Sequence, residues 1–306
     1  MGGITDVNGV LIGHAHDAAA LTGCTVVIVP AGAVVGVDVR GSAPGTRETD
    51  LMRPGNLVDR AHAVVLSGGS AYGLDAAAGV MEYLEEKGYG LTTDFGLVPI
   101  VGGAVIYDLD IGDAKRRPDR LMGRVACERA SVEPSPEGNI GAGMGATVGK
   151  IMGRQFAMKG GLGTASRRLA GADGEAVVAA VVVVNSLGDV IDPVGGAVLA
   201  GAFDRQARRY VGPGTGRAQG QRPDGVMGVN TTVAVIATDA ILDKEGANKV
   251  AAMAHDGMAR AIVPAHTMFD GDTVFCLATG RKAVWGDRAA DIHLWALWLP
   301  RCSLRR

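Results

Sequence analysis

Residues 228–238 read Gly-Val-Asn-Thr-Thr-Val-Ala-Val-Ile-Ala-Thr and join a Gly-rich segment to an apolar run. The apolar run after Thr232 predicts a buried core strand. A self-cleaving precursor would keep its scissile bond at such a junction, between Asn230 and Thr231. Cleavage there would give Thr231 both a hydroxyl nucleophile and a free α-amine, whose pKa of about 7.7–8.0 suits a base near neutral pH. The pattern alone is more typical of an ordinary strand that begins after a loop.

The composition is that of a globular protein rich in small side chains. The 306 residues include 47 glycines, and 47% of the chain is hydrophobic but only 4% aromatic, which excludes low-complexity disorder. The net charge of −2 gives no bulk attraction to nucleic acid or to an anionic membrane. The four cysteines are scattered, and no segment has the pattern of an export signal or a membrane span. These features predict a cytoplasmic protein with neither a nucleic-acid nor a membrane partner.

Hydrophobic periodicity and turn residues predict a mixture of strands and helices. Strands over 24–30 and 34–40 are predicted to form a hairpin around Ala31-Gly32-Ala33. The Gly- and Pro-rich segment 210–228 is predicted to be an exposed linker. Partial alternation of strands and helices, with hairpins mixed in, predicts helices that flank stacked, mostly antiparallel or mixed sheets. The remaining predictions are helices over 71–87, 118–132 and 243–262, and strands over 63–66, 98–107, 177–184, 233–238 and 273–278.

Three short stretches approach known motifs without matching them. Residues 141–146 fit the spacing of a dinucleotide-binding loop, but no strand is predicted immediately before them. Residues 68–72 would form a nucleophile elbow if Tyr72 were Gly. Asp270-Gly271-Asp272 lacks the further spaced oxygens of a calcium loop. We therefore expect neither an organic cofactor nor a metal ion.

Several longer stretches give a more specific signal because they occur together and in a fixed order. They span residues 3–7, 10–14, 38–41, 66–74, 141–143 with 149–150, 230–232 and 269–273. Together they resemble the family of L-aminopeptidase/D-esterase-amidases, which includes β-peptidyl aminopeptidases and nylon-oligomer hydrolases. The resemblance runs from about residue 3 to about residue 287.

The resemblance implies an α+β fold, a four-layer αββα sandwich similar to N-terminal nucleophile hydrolases but with different connectivity. Residues 1–306 would form one hydrolase domain. Self-cleavage between Asn230 and Thr231 would divide it into an α chain, 1–230, and a β chain, 231–306. The family resemblance also implies a homo-oligomer, a tetramer of such αβ units.

The candidate nucleophile and its partners also follow from the resemblance. Thr231 matches the nucleophile, and Asn185 matches the side-chain amide that stabilises the oxyanion. Asp270 and Asp272 match the acidic or hydroxyl pair that orients the nucleophile.

Two further residues, Tyr107 and Lys150, match positions near the nucleophile. The charge of Lys150 could lower the pKa of the Thr231 hydroxyl or amine, or the lysine could pair with Asp270 or Asp272. Both interpretations stay open on the sequence alone.

One position departs from the aminopeptidase branch of that family. An acidic residue two positions before the Tyr would bind the free amino group of the substrate, and this chain has Val105 there. Residues 104–107 are more similar to the nylon-oligomer hydrolases. We therefore expect an autoprocessed threonine hydrolase that cleaves amide bonds of small peptides or amides through an acyl-enzyme. The alternatives are an acyltransferase of the ornithine acetyltransferase type, whose Ala-Thr-Met-Leu cleavage motif is absent, and a binding protein that never cleaves.

Overall fold

A computed structural model describes residues 2–171, 174–216 and 230–283. The predicted linker over 210–228 lies largely outside these ranges, and residues 284–306 lie outside them altogether. No helix within the described ranges has the length and apolar character needed to cross a lipid bilayer.

The described residues form three α-helices and eighteen strands. The helices are α1 (Ala76–Glu86), α2 (Arg120–Glu128) and α3 (Lys244–Ala261). The strands are β1 (Leu11–Asp17), β2 (Thr22–Val39), β3 (Thr46–Arg47), β4 (Arg60–Ser67), β5 (Leu91–Thr93), β6 (Gly96–Val98), β7 (Val101–Val105), β8 (Thr147–Val148), β9 (Met158–Lys159), β10 (Gly161–Gly171), β11 (Gly174–Asn185), β12 (Asp189–Ile191), β13 (Val198–Ala200), β14 (Phe203–Asp204), β15 (Arg209–Tyr210), β16 (Thr231–Ala240), β17 (Ile262–Val263) and β18 (Thr273–Lys282). Five 3-10 turns complete the set: Ile4–Asp6, Ser70–Asp75, Gly141–Gly143, Arg154–Phe156 and Pro213–Thr215.

The predicted hairpin over 24–40 is wrong, because β2 runs through this region as one strand of 18 residues. Its pairing with β4 shifts register between Ile28 and Ala33. Gly32 has φ of 71°, a conformation that glycine adopts without a Cβ clash, so the strand bends there without reversing. The first half of β2 pairs with β1 and β4, and the second half pairs with β18.

This long strand joins the two halves of a nine-stranded sheet, in the order β10-β11-β16-β18-β2-β4-β7-β3 with β1 also on β2. The largest core cluster includes residues from both halves, such as Val27 and Leu66 from one and Val181, Val235 and Phe275 from the other. The two halves therefore face each other across a shared core.

Helices cover the outer faces of both halves. Helix α3 packs on β18 and on the second half of β2, and its Val250 and Met258 share a cluster with Ile236 of β16. Helices α1 and α2 pack on β2 and β4, where Leu84 and Val26 share another cluster. The resulting order is helix, sheet, sheet, helix, so the predicted four-layer αββα sandwich is confirmed.

Most predicted elements exist with shifted ends. The helix predicted over 118–132 is α2, which begins after Asp119 accepts a hydrogen bond from the Met122 amide (2.8 Å). It ends early because Ser131 pairs with Ile12 instead. The helix predicted over 71–87 starts as a 3-10 turn and becomes α-helical at Ala76.

The strand predicted over 98–107 is shorter, because residues up to Val98 pair in the separate β5–β6 hairpin. Strand β10, which pairs with β11 along its length, was not predicted at all. Its sequence, Gly-Leu-Gly-Thr-Ala-Ser-Arg-Arg, lacks a continuous apolar alternation.

One topological feature places the candidate residues. Strand β16 pairs antiparallel with β11 and parallel with β18. The end of β11 therefore meets the starts of β16 and β18 at one edge of the sheet. Residues at or next to these strand ends are brought together although they are far apart in the chain.

Candidate active site

The junction between Asn230 and Thr231 lies at this edge and is buried. Thr231 is the first residue of β16 and lies opposite Asn185, the last residue of β11. On the other side, Asn230 forms a parallel bridge with Asp270, just before β18. The structure thus brings together four of the six predicted catalytic residues, Thr231, Asn185, Asp270 and Asp272, around one peptide bond.

The carbonyl group of that bond accepts two hydrogen bonds. Thr231 Oγ1 lies 2.5 Å from the carbonyl oxygen of Asn230, and the Gly271 amide donates to the same oxygen at 2.9 Å. A Cβ atom at position 271 would lie 2.8 Å from Thr231 Oγ1 and 2.6 Å from the carbonyl oxygen of Ala43. Only glycine therefore lets this backbone approach the hydroxyl so closely.

Asp272 holds the start of β16 in place. Its Oδ1 accepts from the backbone amide of Thr232 at 2.6 Å. Its Oδ2 accepts from the backbone amide of His266 (3.1 Å) and from the His266 ring Nδ1 (2.7 Å). The other ring nitrogen of His266 faces the carbonyl oxygen of His255 at 3.4 Å. His266 is thus connected to the start of β16 through the Asp272 carboxylate.

The pKa of His266 reflects two opposing effects. Burial lowers it, but the hydrogen bond to Asp272 and the negative charge of that carboxylate outweigh burial, so the net pKa is raised above the ordinary value of 6.5. Both ring nitrogens have acceptors, which also favours the protonated ring.

Asp270 shapes the turn that precedes it. Its Oδ2 accepts from the backbone amide (2.8 Å) and the hydroxyl (2.6 Å) of Thr267. Burial, and then the like charge of Asp272, raise the pKa of Asp270, although the bonds from Thr267 partly oppose them.

The segment at 40–43 supports this acidic loop. The amides of Arg40 and Gly41 donate to the carbonyl oxygen of Asp272, and the amide of Ala43 donates to that of Asp270. A Cβ atom at Gly41 would lie 2.2 Å from the Asp272 nitrogen. The stretch 38–41 noted in the sequence is therefore the backbone support of the acidic loop.

The orientation of the Asn185 side-chain amide is fixed because its oxygen accepts several hydrogen bonds. Oδ1 accepts from Lys150 Nζ (2.9 Å) and from the amide of Thr147 (3.0 Å), and Nδ2 donates to the carbonyl oxygen of Tyr107 (2.9 Å). Tyr107 thus contributes through its main chain, while its side chain packs in a small cluster with Leu187.

Lys150 is one of the largest fully buried side chains in the described ranges. Its ammonium also donates to the backbone carbonyl of Asn185 at 3.1 Å. Burial lowers the pKa of Lys150 to about 7, although the nearby charges of Asp110 and Asp270 partly oppose this shift. The group can therefore exchange a proton near neutral pH.

Comparison with known proteins identifies the family. Residues 2–296 match the model of peptidase family S58. The chain belongs to family S58. It is 44% identical to an uncharacterized aminopeptidase of Mycobacterium leprae, over 95% of this chain and 82% of that protein. It is also 37% identical to a 6-aminohexanoate-oligomer endohydrolase of a Kocuria strain, over 90% of this chain and 74% of that protein.

Solved structures share the fold of this S58 chain. An L-aminopeptidase D-Ala-esterase/amidase of Ochrobactrum anthropi, described as a variant of the Ntn hydrolase fold, aligns with a TM-score of 0.71 at 19% identity, over 98% of this chain and 84% of the other. A β-aminopeptidase of a Burkholderia species aligns with the same TM-score at 22% identity. The resemblance inferred from the sequence is confirmed, and this S58 protein is a peptidase or amidase that hydrolyses amide bonds.

Three groups that contact the candidate site of this S58 protein were not predicted as site residues from the sequence. His266, the amide of Gly271 and Thr147 act through contacts with Asp272, Asn230 and Asn185 respectively. Gly271 was visible only as part of an acidic turn, and His266 and Thr147 have no motif of their own.

Proposed function

We propose that this protein is an autoprocessed N-terminal threonine hydrolase, with Thr231 as the nucleophile both of its own cleavage and of substrate hydrolysis. The observation that carries the proposal is the position of Thr231 Oγ1 against the carbonyl of Asn230, whose oxygen also accepts from the Gly271 amide. The hydroxyl is next to the bond to be cut, and an amide N–H faces the oxygen on which negative charge would develop.

In self-cleavage, Thr231 Oγ1 attacks the carbonyl carbon of Asn230. The hydroxyl proton passes to the Thr231 nitrogen, the peptide C–N bond breaks, and an ester links Asn230 to Oγ1. Water then hydrolyses the ester, leaving a carboxylate on Asn230 and a free α-amine and hydroxyl on Thr231. The Gly271 amide stabilises the tetrahedral oxyanion in this step.

In substrate hydrolysis, the same hydroxyl attacks the carbonyl carbon of an amide. The α-amine of Thr231 takes the hydroxyl proton and gives it to the leaving amine. In this proposal the Asn185 side chain stabilises the oxyanion, and Lys150 supports that role because it donates to Asn185 Oδ1 and fixes the orientation of the amide. Water releases the acid and restores the hydroxyl.

The substrate class we propose is small peptides or amides. At the position where an acid would bind a substrate amine, Val105 is buried and its amide donates to the Gly45 carbonyl. The name of the 37%-identical Kocuria relative, an endohydrolase of oligomers, supports an activity beyond a strict aminopeptidase. We further propose one domain over 1–306 and a homo-oligomer of αβ units.

Intact-mass measurement of the purified protein tests the proposal. We expect fragments of residues 1–230 and 231–306 in the wild type, an uncut chain in Thr231→Ala, and amide hydrolysis only in the cut protein. Thr232→Ala is the matched control, because it removes the neighbouring hydroxyl but keeps the backbone amide that binds Asp272. A wild-type chain that stays whole over a long time course would refute the proposal. Acyl transfer to added amino acids in place of hydrolysis would favour the acyltransferase.

A further inference from the structure

A cavity of about 260 Å³ lies beside two residues that contact the Asn185 amide. Thr147 and Lys150 belong to its wall, and both donate to Asn185 Oδ1. The cavity therefore lies beside the two residues that orient the Asn185 amide.

The wall of this cavity is strongly basic. Besides Lys150 it contains Arg154, Lys159 and Arg205, whereas Asp110 is the one carboxylate among its described lining residues. Asp110 lies 3.5 Å from Arg154. Four cationic side chains thus face one anionic side chain, so the cavity carries a net positive charge when Lys150 is protonated and also when it is neutral.

Two of these cations are fixed by uncharged acceptors. Lys159 Nζ donates to the carbonyl oxygen of Met144 (2.6 Å), and Arg205 donates to the carbonyl oxygens of Gln155 and Ala157. Carbonyl acceptors orient these groups but leave their positive charge in place. Both cations therefore keep a fixed position and a positive charge that can bind an anionic ligand.

The cavity also has an inner and an outer part. Lys150 is buried at its base, whereas Lys159, Arg154 and Arg205 are exposed residues. Apolar side chains, including Met158, share the wall with them. This arrangement fits a short apolar stem that ends in an anionic group.

We propose that the cavity binds a carboxylate on the acyl part of the substrate, so that the preferred substrates are amides whose acyl chain ends in a carboxylate. This inference rests on the proposed function of Thr231 and Asn185. Arginine and lysine in a partly desolvated cavity bind carboxylates through charge-assisted hydrogen bonds, whereas a free ammonium group would be repelled.

A matched pair of anilides tests this specificity. Glutaryl anilide and its methyl ester have the same acyl chain but differ in the terminal charge. We expect the value of kcat/KM to be about tenfold higher for the acid, the effect of one or two charge-assisted contacts at a partly exposed site. Arg205→Gln and Lys159→Gln should each reduce this ratio severalfold. Arg53→Gln, which removes an exposed arginine outside the cavity wall, is the control and should leave the ratio unchanged.

The outcomes separate the two proposals. If the wild type is cut at Thr231 and hydrolyses both anilides equally, the anionic cavity is refuted while the threonine mechanism stands. If neither anilide is hydrolysed, calorimetry with the same two compounds measures their binding. Tighter binding of the acid that is lost in Arg205→Gln and Lys159→Gln would support carboxylate binding in the cavity. Equal binding of the two compounds, or no binding, would refute it. An uncut and inactive wild-type chain refutes the proposed function itself.

Discussion

Asn185 and Thr231 are directly opposite each other at the ends of two neighbouring antiparallel strands, β11 and β16. Strand pairing therefore fixes the distance between the proposed nucleophile and the proposed oxyanion donor. Lys150 and Thr147 then fix the rotation of the Asn185 amide. Paired strands of one sheet therefore hold both groups.

Asn185→Ala should lower kcat for amide hydrolysis by about 10²–10³-fold, the usual cost of losing one oxyanion donor. KM should change much less, because the amide acts on charge that develops in the transition state. Steady-state kinetics with an amide substrate measure both values. Leu187→Ala, a neighbouring core substitution, is the control for a general loss of stability. A fall in kcat of less than about threefold in Asn185→Ala would contradict this role.

Gly271→Ala should block or strongly slow the self-cleavage. The new Cβ would lie 2.8 Å from Thr231 Oγ1 and 2.6 Å from the Ala43 carbonyl oxygen, so the loop must move and its amide must leave the carbonyl oxygen of Asn230. Mass spectrometry over time after expression follows the cut. Gly163→Ala is the control, since the nearest atom to its Cβ would be 3.8 Å away. Normal cleavage in Gly271→Ala would show that this amide is not needed.

Lys150→Met should flatten the dependence of stability on pH above neutrality. Burial lowers the pKa of Lys150 from its ordinary 10.5 to about 7 in the folded chain. Between these two values the unfolded state binds more protons than the folded state, so the contribution of this group to stability rises with pH. Below about pH 7 both states are protonated and the burial penalty is complete.

Urea unfolding at several pH values between about 7 and 10 measures this slope. The free energy of unfolding should rise more steeply with pH in the wild type than in Lys150→Met. Lys87→Met removes an exposed lysine and should keep the wild-type slope. Equal slopes in the wild type and in Lys150→Met would contradict the buried, shifted lysine.

His266→Gln should cost more stability at low pH than at high pH. The net pKa of His266 is raised above 6.5 by Asp272, so its stabilising effect is complete below about pH 6.5 and is lost as pH rises through the raised value. Arg40 also lies near this ring and opposes its positive charge, whereas the backbone carbonyl of His255 favours that charge. Unfolding free energies of the wild type and the variant at about pH 5.5 and about pH 8.5 test whether the loss of stability is larger at the lower pH. A loss that is equal at both pH values would mean that His266 acts by packing alone.

The sequence predicted those parts of the fold that depend on local patterns. Helix α3 was predicted almost to its ends because Asp243 caps it and its apolar residues recur at helical spacing. The bend in β2 was misread because Ala31-Gly32-Ala33 fits a reversing turn equally well. Only pairing with β4 and β18 decides that the strand continues.

The candidate site could not be predicted from local sequence patterns alone. Thr231, Asn185 and the two aspartates are far apart in the chain, and only the family resemblance connected them before the structure did. The cavity was not predicted, because Lys159 and Arg205 become neighbours of Lys150 only after the chain folds. His266 was missed for the same reason.

The parallel pairing of β16 with β18 has a consequence for how the protein is made. The ribosome synthesises the bond after Asn230 before it synthesises Asp270, Gly271 and Asp272. The chain must cross over through α3 and add β18 to the sheet before those groups reach that bond. Cutting would thus occur as a late event of maturation. By then β16 is paired with both β11 and β18, so the two fragments would remain together as one molecule after the cut.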